Sequence, residues 1–402
     1  MDLIKQRIAG LEQELINLRR DFHRHPELGF QEFRTAEIVE DYLKAAGYRP
    51  QRLSETGVVA LLEGQQPGPV LMLRADMDAL PVTEETGLPY QSQNPGVSHA
   101  CGHDAHMAML LVAARVLAEG PKPLAGTIKF VFQPDEEVAG ALRMIKDGVL
   151  ENPRVDAAVG MHIWTPLESG RISITSGTVM SGLEVFKLRI HGKGGHTGSP
   201  ESAIDPIIAA ANLIQTVQTV QTREISHLRS TVIMFGKISG GTKSNIIPDT
   251  VELEGSIRFL YLNRPENEEQ PVERFRRIVQ GVCETHRCRY ELETQTENIP
   301  LFNDAGMVKI ARQSAAKVFS EAAITEGVYL ASEDFAYFAE HVPAVFMFLG
   351  TGNALKGTTQ PHHSSRFDID EATLKLGAEM YVRTAIDFFD GAESILSTTG
   401  KS

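Results

Sequence analysis

A chain of 402 residues with 42% apolar side chains is long enough for two domains of about 100–200 residues each, and has enough apolar mass to give each a core. Its net charge of −13 disfavours nucleic-acid binding, because a phosphate backbone would be repelled. The basic runs, Arg19-Arg20 and Arg276-Arg277, are short and read as solvated helix faces.

The N-terminal segment sets Ile4, Ile8, Leu11, Leu15 and Leu18 at helical spacing with charges between them, which predicts an amphipathic helix and not a signal peptide. Two N-terminal helices are expected before strands at 57–63 and 70–77, followed by a loop rich in Gly and Pro that runs to Cys101. A helix over 105–119, a strand over 127–133, a helix over 138–150 and a strand over 155–164 follow. This alternation predicts an α/β layered core. From about residue 182 the pattern restarts as strand 185–192, a helix after Ser202, strands 231–238 and 251–260, a helix from Pro271 and strand 288–295, a β-α-β-β-α-β unit. A helix over 306–319, a strand over 345–349 and a closing helix over 371–389 return to the first pattern. The expected organisation is therefore an α/β domain in 1–181 and 299–402, interrupted by a smaller α+β domain at 182–298. No run approaches about 18 uncharged apolar residues, so no transmembrane span is expected. Three cysteines, an odd count in a long chain, argue against a disulfide framework and for the reducing cytoplasm.

Chemistry concentrates at element ends. Cys101-Gly102-His103-Asp104 puts a thiol and an imidazole two residues apart, in reach of one metal ion, with Asp104 or another carboxylate to orient the ring. Alone, the triplet also fits a buried thiol beside a capping carboxylate. Asp135-Glu136-Glu137 crowds three acids at a strand-to-helix turn, where they either complement the helix dipole or divide the work of metal ligand and proton carrier. His162 ends an apolar strand, and His362-His363 precedes Ser364-Ser365-Arg366-Phe367-Asp368. Four potential ligand groups ending successive core elements favour a metal site. In the smaller domain, His196 sits in the glycine-rich turn 192–198, which lacks the spacing of a phosphate-binding loop. His196 is a candidate oxyanion donor, while Asn245 and Arg258 are candidates for binding a substrate carboxylate.

Together the segments FHRHPELG at 22–29, RADMDALP at 74–81, HACGHDAHMAM at 99–109, FQPDEE at 132–137, GMHIW at 160–164, GKGGHTGSP at 192–200, SNIIPD at 244–249, SEDF at 332–335 and HSSRFDID at 363–370 are highly specific. Over nearly its whole length the chain resembles the aminoacylase/carboxypeptidase-like di-metal peptidases, in the branch of hippurate hydrolase and the indole-acetyl-amino acid hydrolases. The resemblance implies two divalent ions (Zn, Mn, Co or Ni) bridged by Cys101. His103, Glu137, His162 and a C-terminal histidine would complete their shells, with Glu136 as the base. His363 is the C-terminal choice, because its five-residue distance to Asp368 matches the family's pattern and His362 is one residue out of register. Related branches carry a His-x-Asp pair where this chain has Asp76-Met77-Asp78, a departure that suits the Cys-bridged branch. Asp135, Val138 and Ala139 stand where a glycine-rich surround is usual, which bears on substrate preference. The resemblance also implies a homodimer through the inserted domain and a lid histidine matched by His196.

The expected reaction is hydrolysis of an N-acyl-L-amino acid of the N-acetyl, benzoyl or indole-acetyl type, with Glu136 activating water beside the ions and protonating the departing amino acid. A dipeptidase or carboxypeptidase is the alternative within enzymes. A silent binding protein of the same fold would be expected to lack a base or ligand, and every matched position is filled.

Overall fold

The computed structural model describes residues 2–120, 125–262 and 269–396. The chain divides into two compact units, one made of residues up to Gly177, Phe302–Val328 and those from Glu333 onward, the other of Thr178–Leu301 and Tyr329–Ser332.

The larger unit is a mixed α/β layer. Among the described residues, its sheet has 8 strands, ordered Gln51–Leu53, Gly57–Glu63, Ala125–Gln133, Gln66–Asp76, Ala157–Glu168, Ala344–Gly352, Ile172–Ser173 and Ile324–Thr325. The four central strands run parallel, Gln66–Asp76 between Ala125–Gln133 and Ala157–Glu168, and Ala344–Gly352 outside the last of these. Such strands are covered on both faces, and Ala344–Gly352 is buried at every position. Their parallel direction brings their carboxyl ends to one edge of the sheet, where open α/β folds place their sites. Helix His103–Glu119 packs into this core with Met107, Leu110, Leu111 and Ala114 all at 0% exposure.

The N-terminal amphipathic stretch is broken at Leu11 into helices Leu3–Gly10 and Glu12–Arg24, and a third helix, Phe33–Ala45, precedes the first strand. The helix expected over 138–150 is shorter. A single turn of 3-10 helix, Glu136–Val138, is followed by Ala139 at φ 71° and then helix Gly140–Lys146. The left-handed Ala139 interrupts the helical path, and Gly148 at φ 91° lets Val149 donate back to the Met144 carbonyl and close the far end.

The reading of Arg19-Arg20 as a solvated face is corrected at Arg19, which is 0% exposed. Its guanidinium is held by Asp104 at 2.8 Å and by Asp368 and Glu371 at 3.1 Å each, so burial is offset by three carboxylates.

The smaller unit has a 4-stranded antiparallel sheet in the order Thr231–Gly240, Thr250–Phe259, Gly182–His191, Arg289–Asn298, which with helices Pro206–Thr216 and Pro271–Thr285 gives a ferredoxin-like layer. Phe186, Leu213, Leu253 and Phe275 belong to its own apolar core.

Candidate active site

Gly102 holds the tight entry into helix His103–Glu119. It sits at φ 92°, and a Cβ there would lie 2.6 Å from Ile163 Cδ1, so glycine is required on both counts. The turn aims Cys101 and His103 into one buried space at the carboxyl edge of the sheet. His103 Nδ1 donates to the Asp78 carbonyl at 2.9 Å and approaches Asp78 Oδ1 at 3.1 Å. Asp78 is thus the orienting carboxylate, whereas Asp104 turns away to Arg19 and to His23 at 2.7 Å. With Nδ1 engaged, His103 Nε2 is left buried with no hydrogen-bond partner in the protein.

His162 repeats the logic. Its Nδ1 donates to the Ile163 carbonyl at 2.5 Å, which leaves Nε2 facing Cys101 Sγ at 3.4 Å. The Cys101 sulfur belongs to two sets of mutually close ligand atoms. Those of Cys101, His103 and Glu137 lie within 4.8 Å of one another, as do those of Cys101, His162 and His362. His106 is close to His103 and His162 but is already committed, since its Nδ1 donates to Asp76 Oδ1 at 2.6 Å and its Nε2 accepts from the Ile163 amide at 2.9 Å. It supports the site and is not a ligand.

The C-terminal histidines divide. His363, at φ 65° with a side chain 54% exposed, puts Nε2 3.2 Å from Glu137 Oε1. His362 points Nδ1 at Cys101 Sγ from 4.0 Å and stacks on Trp164 at 4.7 Å. Register selects His363, while proximity to the sulfur also selects His362.

The electrostatics of this space favour a cation. Burial alone would lower the His103 imidazole, but Asp76 and Asp78 outweigh it and raise its pKa to about 10. Burial, with Glu137 and Glu136, pushes the Cys101 thiol well up. A divalent ion would displace these protons, and the unpartnered Nε2 of His103 beside a thiol and a carboxylate is the donor set that zinc or a similar ion takes. Glu136, 6% exposed, puts Oε2 3.9 Å from His103 Nε2 and is pushed well above the usual carboxylate range by burial and by Glu333, Glu137 and Asp334, partly offset by Arg74.

In the smaller unit, His196 pairs with Ile246 across a short antiparallel ladder, and the Thr197 amide donates to the Asn245 carbonyl at 3.3 Å, so His196 and Asn245 are neighbours. His196 Nδ1 accepts from the Gly198 amide at 2.9 Å, which fixes the tautomer with the proton on Nε2, a donor and not a ligand. Arg258 lies elsewhere in that unit, on strand Thr250–Phe259, and donates to the Leu330 carbonyl at 2.8 Å.

The sequence reading assigned no role to Arg74, Asp76, Asp78, His106, Gln133 or Asp334. A usable signal was present, since a buried strand ending Leu73-Arg74-Ala75-Asp76 carries charges that must find partners.

The sequence model of Peptidase family M20/M25/M40 matches residues 72–387. The chain belongs to that family. It is 37% identical over 398 residues to an N-acetyl-L-cysteine deacetylase of Bacillus subtilis (strain 168), covering 98% of this chain and 91% of the relative. It is 36% identical over 397 residues to thermostable carboxypeptidase 1 of Saccharolobus solfataricus, covering 96% of this chain and 99% of the relative. Among solved structures, a Bacillus subtilis dinuclear metal-binding peptidase of the M20 family superposes with a TM-score of 0.81 at 32% identity, over 95% of this chain and 99% of that one. Family membership makes the protein a hydrolase, and the likeness to the M20 structure bears out the α/β fold class.

Proposed function

We propose that this family member hydrolyses the amide bond of N-acyl-L-amino acids, releasing a carboxylic acid and the free amino acid. The observation that carries the reading is the Cys101 sulfur shared by two sets of ligand atoms, with the buried Glu136 carboxylate beside them. Cys101, His103, Glu137, His162 and His363 would hold two divalent ions, with His362 competing for the last place. When bound, such ions supply Lewis-acid polarisation of the amide carbonyl and acidify water. Glu136 takes a proton from the attacking water and delivers it to the amide nitrogen as the C–N bond breaks and the C–O bond forms. His196 is proposed as the donor to the developing oxyanion, supported by its Nε2–H tautomer, and Asn245 and Arg258 as contacts for the substrate carboxylate.

The likeness to the N-acetyl-L-cysteine deacetylase supports small N-acyl substrates. The likeness to the carboxypeptidase supports a second reading, cleavage of a dipeptide at the same centre. The three free thiols are consistent with a cytoplasmic location, and no helix among the described residues is long and apolar enough to cross a membrane.

Protein stripped by a chelator is assayed with N-acetyl, N-benzoyl and indole-acetyl amino acids and with dipeptides, with and without zinc, manganese, cobalt or nickel. Release of amino acid restored by metal, faster from N-acyl substrates than from dipeptides, is expected; turnover of dipeptides alone would move the assignment to the second reading. Metal stoichiometry of His363→Ala and His362→Ala in the same preparations assigns the last ligand. His363→Ala is expected to lose metal and His362→Ala to keep it, and the reverse result transfers the role to His362.

A homodimer through the smaller unit is part of the proposal. Its two sheet edges differ in character. Strand Arg289–Asn298 carries Glu291, Glu293 and Glu297, the pattern that keeps an edge from pairing. Strand Thr231–Gly240 carries one charge, Lys237, and exposes Met234 at 59% and Ile238 at 58%.

A further inference from the structure

Arg74 lies on the central strand of the larger unit with a side chain only 1% exposed, and each nitrogen of its guanidinium has a named partner. Nε donates to Gln133 Oε1 at 2.8 Å, one terminal nitrogen donates to Asp76 Oδ2 at 2.6 Å, and the other meets Asp334 Oδ1 at 2.9 Å and Glu333 Oε1 at 3.0 Å. These partners lead in two directions.

The first leads to the base. Gln133 precedes the turn that carries Glu136 and Glu137, and its Nε2 donates to the Asp334 carboxylate at 2.7 and 2.9 Å. At the far end of the turn, the Ala141 amide donates to Asp334 Oδ2 at 2.8 Å. Asp334 therefore ties both ends of the base-bearing turn, and its own amide donates to Glu136 Oε1 at 3.3 Å. The second direction leads to the ligands. Asp76 takes its other hydrogen bond from His106, whose Nε2 accepts from the Ile163 amide, the residue after His162.

We propose that Arg74 is the positioning residue of this centre, its planar fork holding the Glu136 turn through Asp334 and the His162 strand through Asp76 and His106 at one fixed spacing. A lysine keeps the charge but presents a compact ammonium that cannot span Gln133, Asp76 and Asp334 together. The inference rests on the proposed hydrolysis for its kinetic consequence but not for its metal consequence, so the two can fail separately.

The test compares Arg74→Lys, Asp334→Asn and Asp76→Asn with the wild type in two ways, by cobalt(II) affinity from visible absorption and by kcat and KM on the best N-acyl amino acid. Cobalt affinity is expected to fall about 10–100-fold in Arg74→Lys and Asp76→Asn, the cost typical of losing a partner behind a ligand, and to stay unchanged in Asp334→Asn. The value of kcat is expected to fall about 10²-fold in Arg74→Lys and in Asp334→Asn with KM nearly constant, since a misplaced base costs turnover rather than binding. A structural role alone would instead lower the folded fraction and leave the kcat of the folded protein intact. Losses that multiply in the Arg74→Lys/Asp334→Asn double variant would show two independent effects and overturn the proposal, as would unchanged cobalt affinity in both Arg74→Lys and Asp76→Asn. Should Arg74→Lys not fold, Asp76→Asn decides the ligand branch and Asp334→Asn the base branch. If the wild type binds cobalt but cleaves no N-acyl amino acid, the functional reading falls while the affinity series still decides the role of Arg74.

Discussion

Beside Arg19 stands His23, buried between Asp104 at 2.7 Å and Glu84 at 3.3 Å, with Tyr90 edge-on at 5.6 Å. Burial and Arg19 push its pKa down, but Asp104 and Glu84 more than offset them and the net shift is upward. The folded state therefore favours the imidazolium relative to the unfolded chain, where histidine titrates near about 6.5. The stabilisation is full below about pH 6.5 and is lost as pH rises through the higher folded value. The difference in unfolding free energy between wild type and His23→Gln, from denaturant titrations, is expected to be larger near about pH 6 than near about pH 9; a difference that grows with pH would contradict the charged pair. At this scale the sequence singled out Cys101, His103, Glu137 and His162 as candidates, and the structure brings their ligand atoms around the one sulfur. The sequence was opaque where the role depends on which neighbour the fold supplies. Nothing local separates Asp104, which serves Arg19 and His23, from Asp78, which serves His103 from 25 residues away.

The turn between strand Ala125–Gln133 and helix Gly140–Lys146 shows how an element can depart from its sequence pattern for a reason of function. Apolar periodicity predicts a helix from 138, yet Asp135 at φ 53° and Ala139 at φ 71° bend the chain so that Glu136 and Glu137 face the site. Left-handed alanine costs about 1–2 kcal/mol, of which a glycine returns all but about 0.4–1 kcal/mol of extra unfolded-chain entropy. Ala139→Gly is thus expected to leave stability unchanged or raise it by up to about 1.6 kcal/mol. Gly140→Ala is expected to cost about 1–3 kcal/mol and to lower activity, because its Cβ would fall 1.9 Å from the Pro134 carbonyl oxygen. Chemical denaturation of the pair checks this, and equal destabilisation by both would show that the turn is not strained as described. The strands were the most legible elements, 127–133 falling within Ala125–Gln133 and 345–349 within Ala344–Gly352, because a buried parallel strand writes itself as a continuous apolar run. The break at Leu11 and the turn at 135–139 were not, because neither residue type announces its backbone angles.

For the whole molecule, the contrast between sheet edges in the smaller unit can be tested by mass. Ile238→Lys is expected to halve the mass measured by light scattering while metal stoichiometry stays unchanged, and a dimer that survives this change together with Met234→Glu would move the interface off that edge. The order of the larger sheet has another consequence, in the life of the chain before it is complete. Strand Ala344–Gly352 pairs with Ala157–Glu168, and Thr178–Leu301 folds around its own core between them in sequence. During synthesis the smaller unit can close almost as soon as its last strand leaves the ribosome, while the larger sheet must wait about fifty more residues for Ala344–Gly352 to cover the open edge of Ala157–Glu168. Cys101 and His162 are made long before the histidines at 362–363, so a nascent chain cannot complete the proposed ion-binding shell until about two hundred residues beyond His162 have been added.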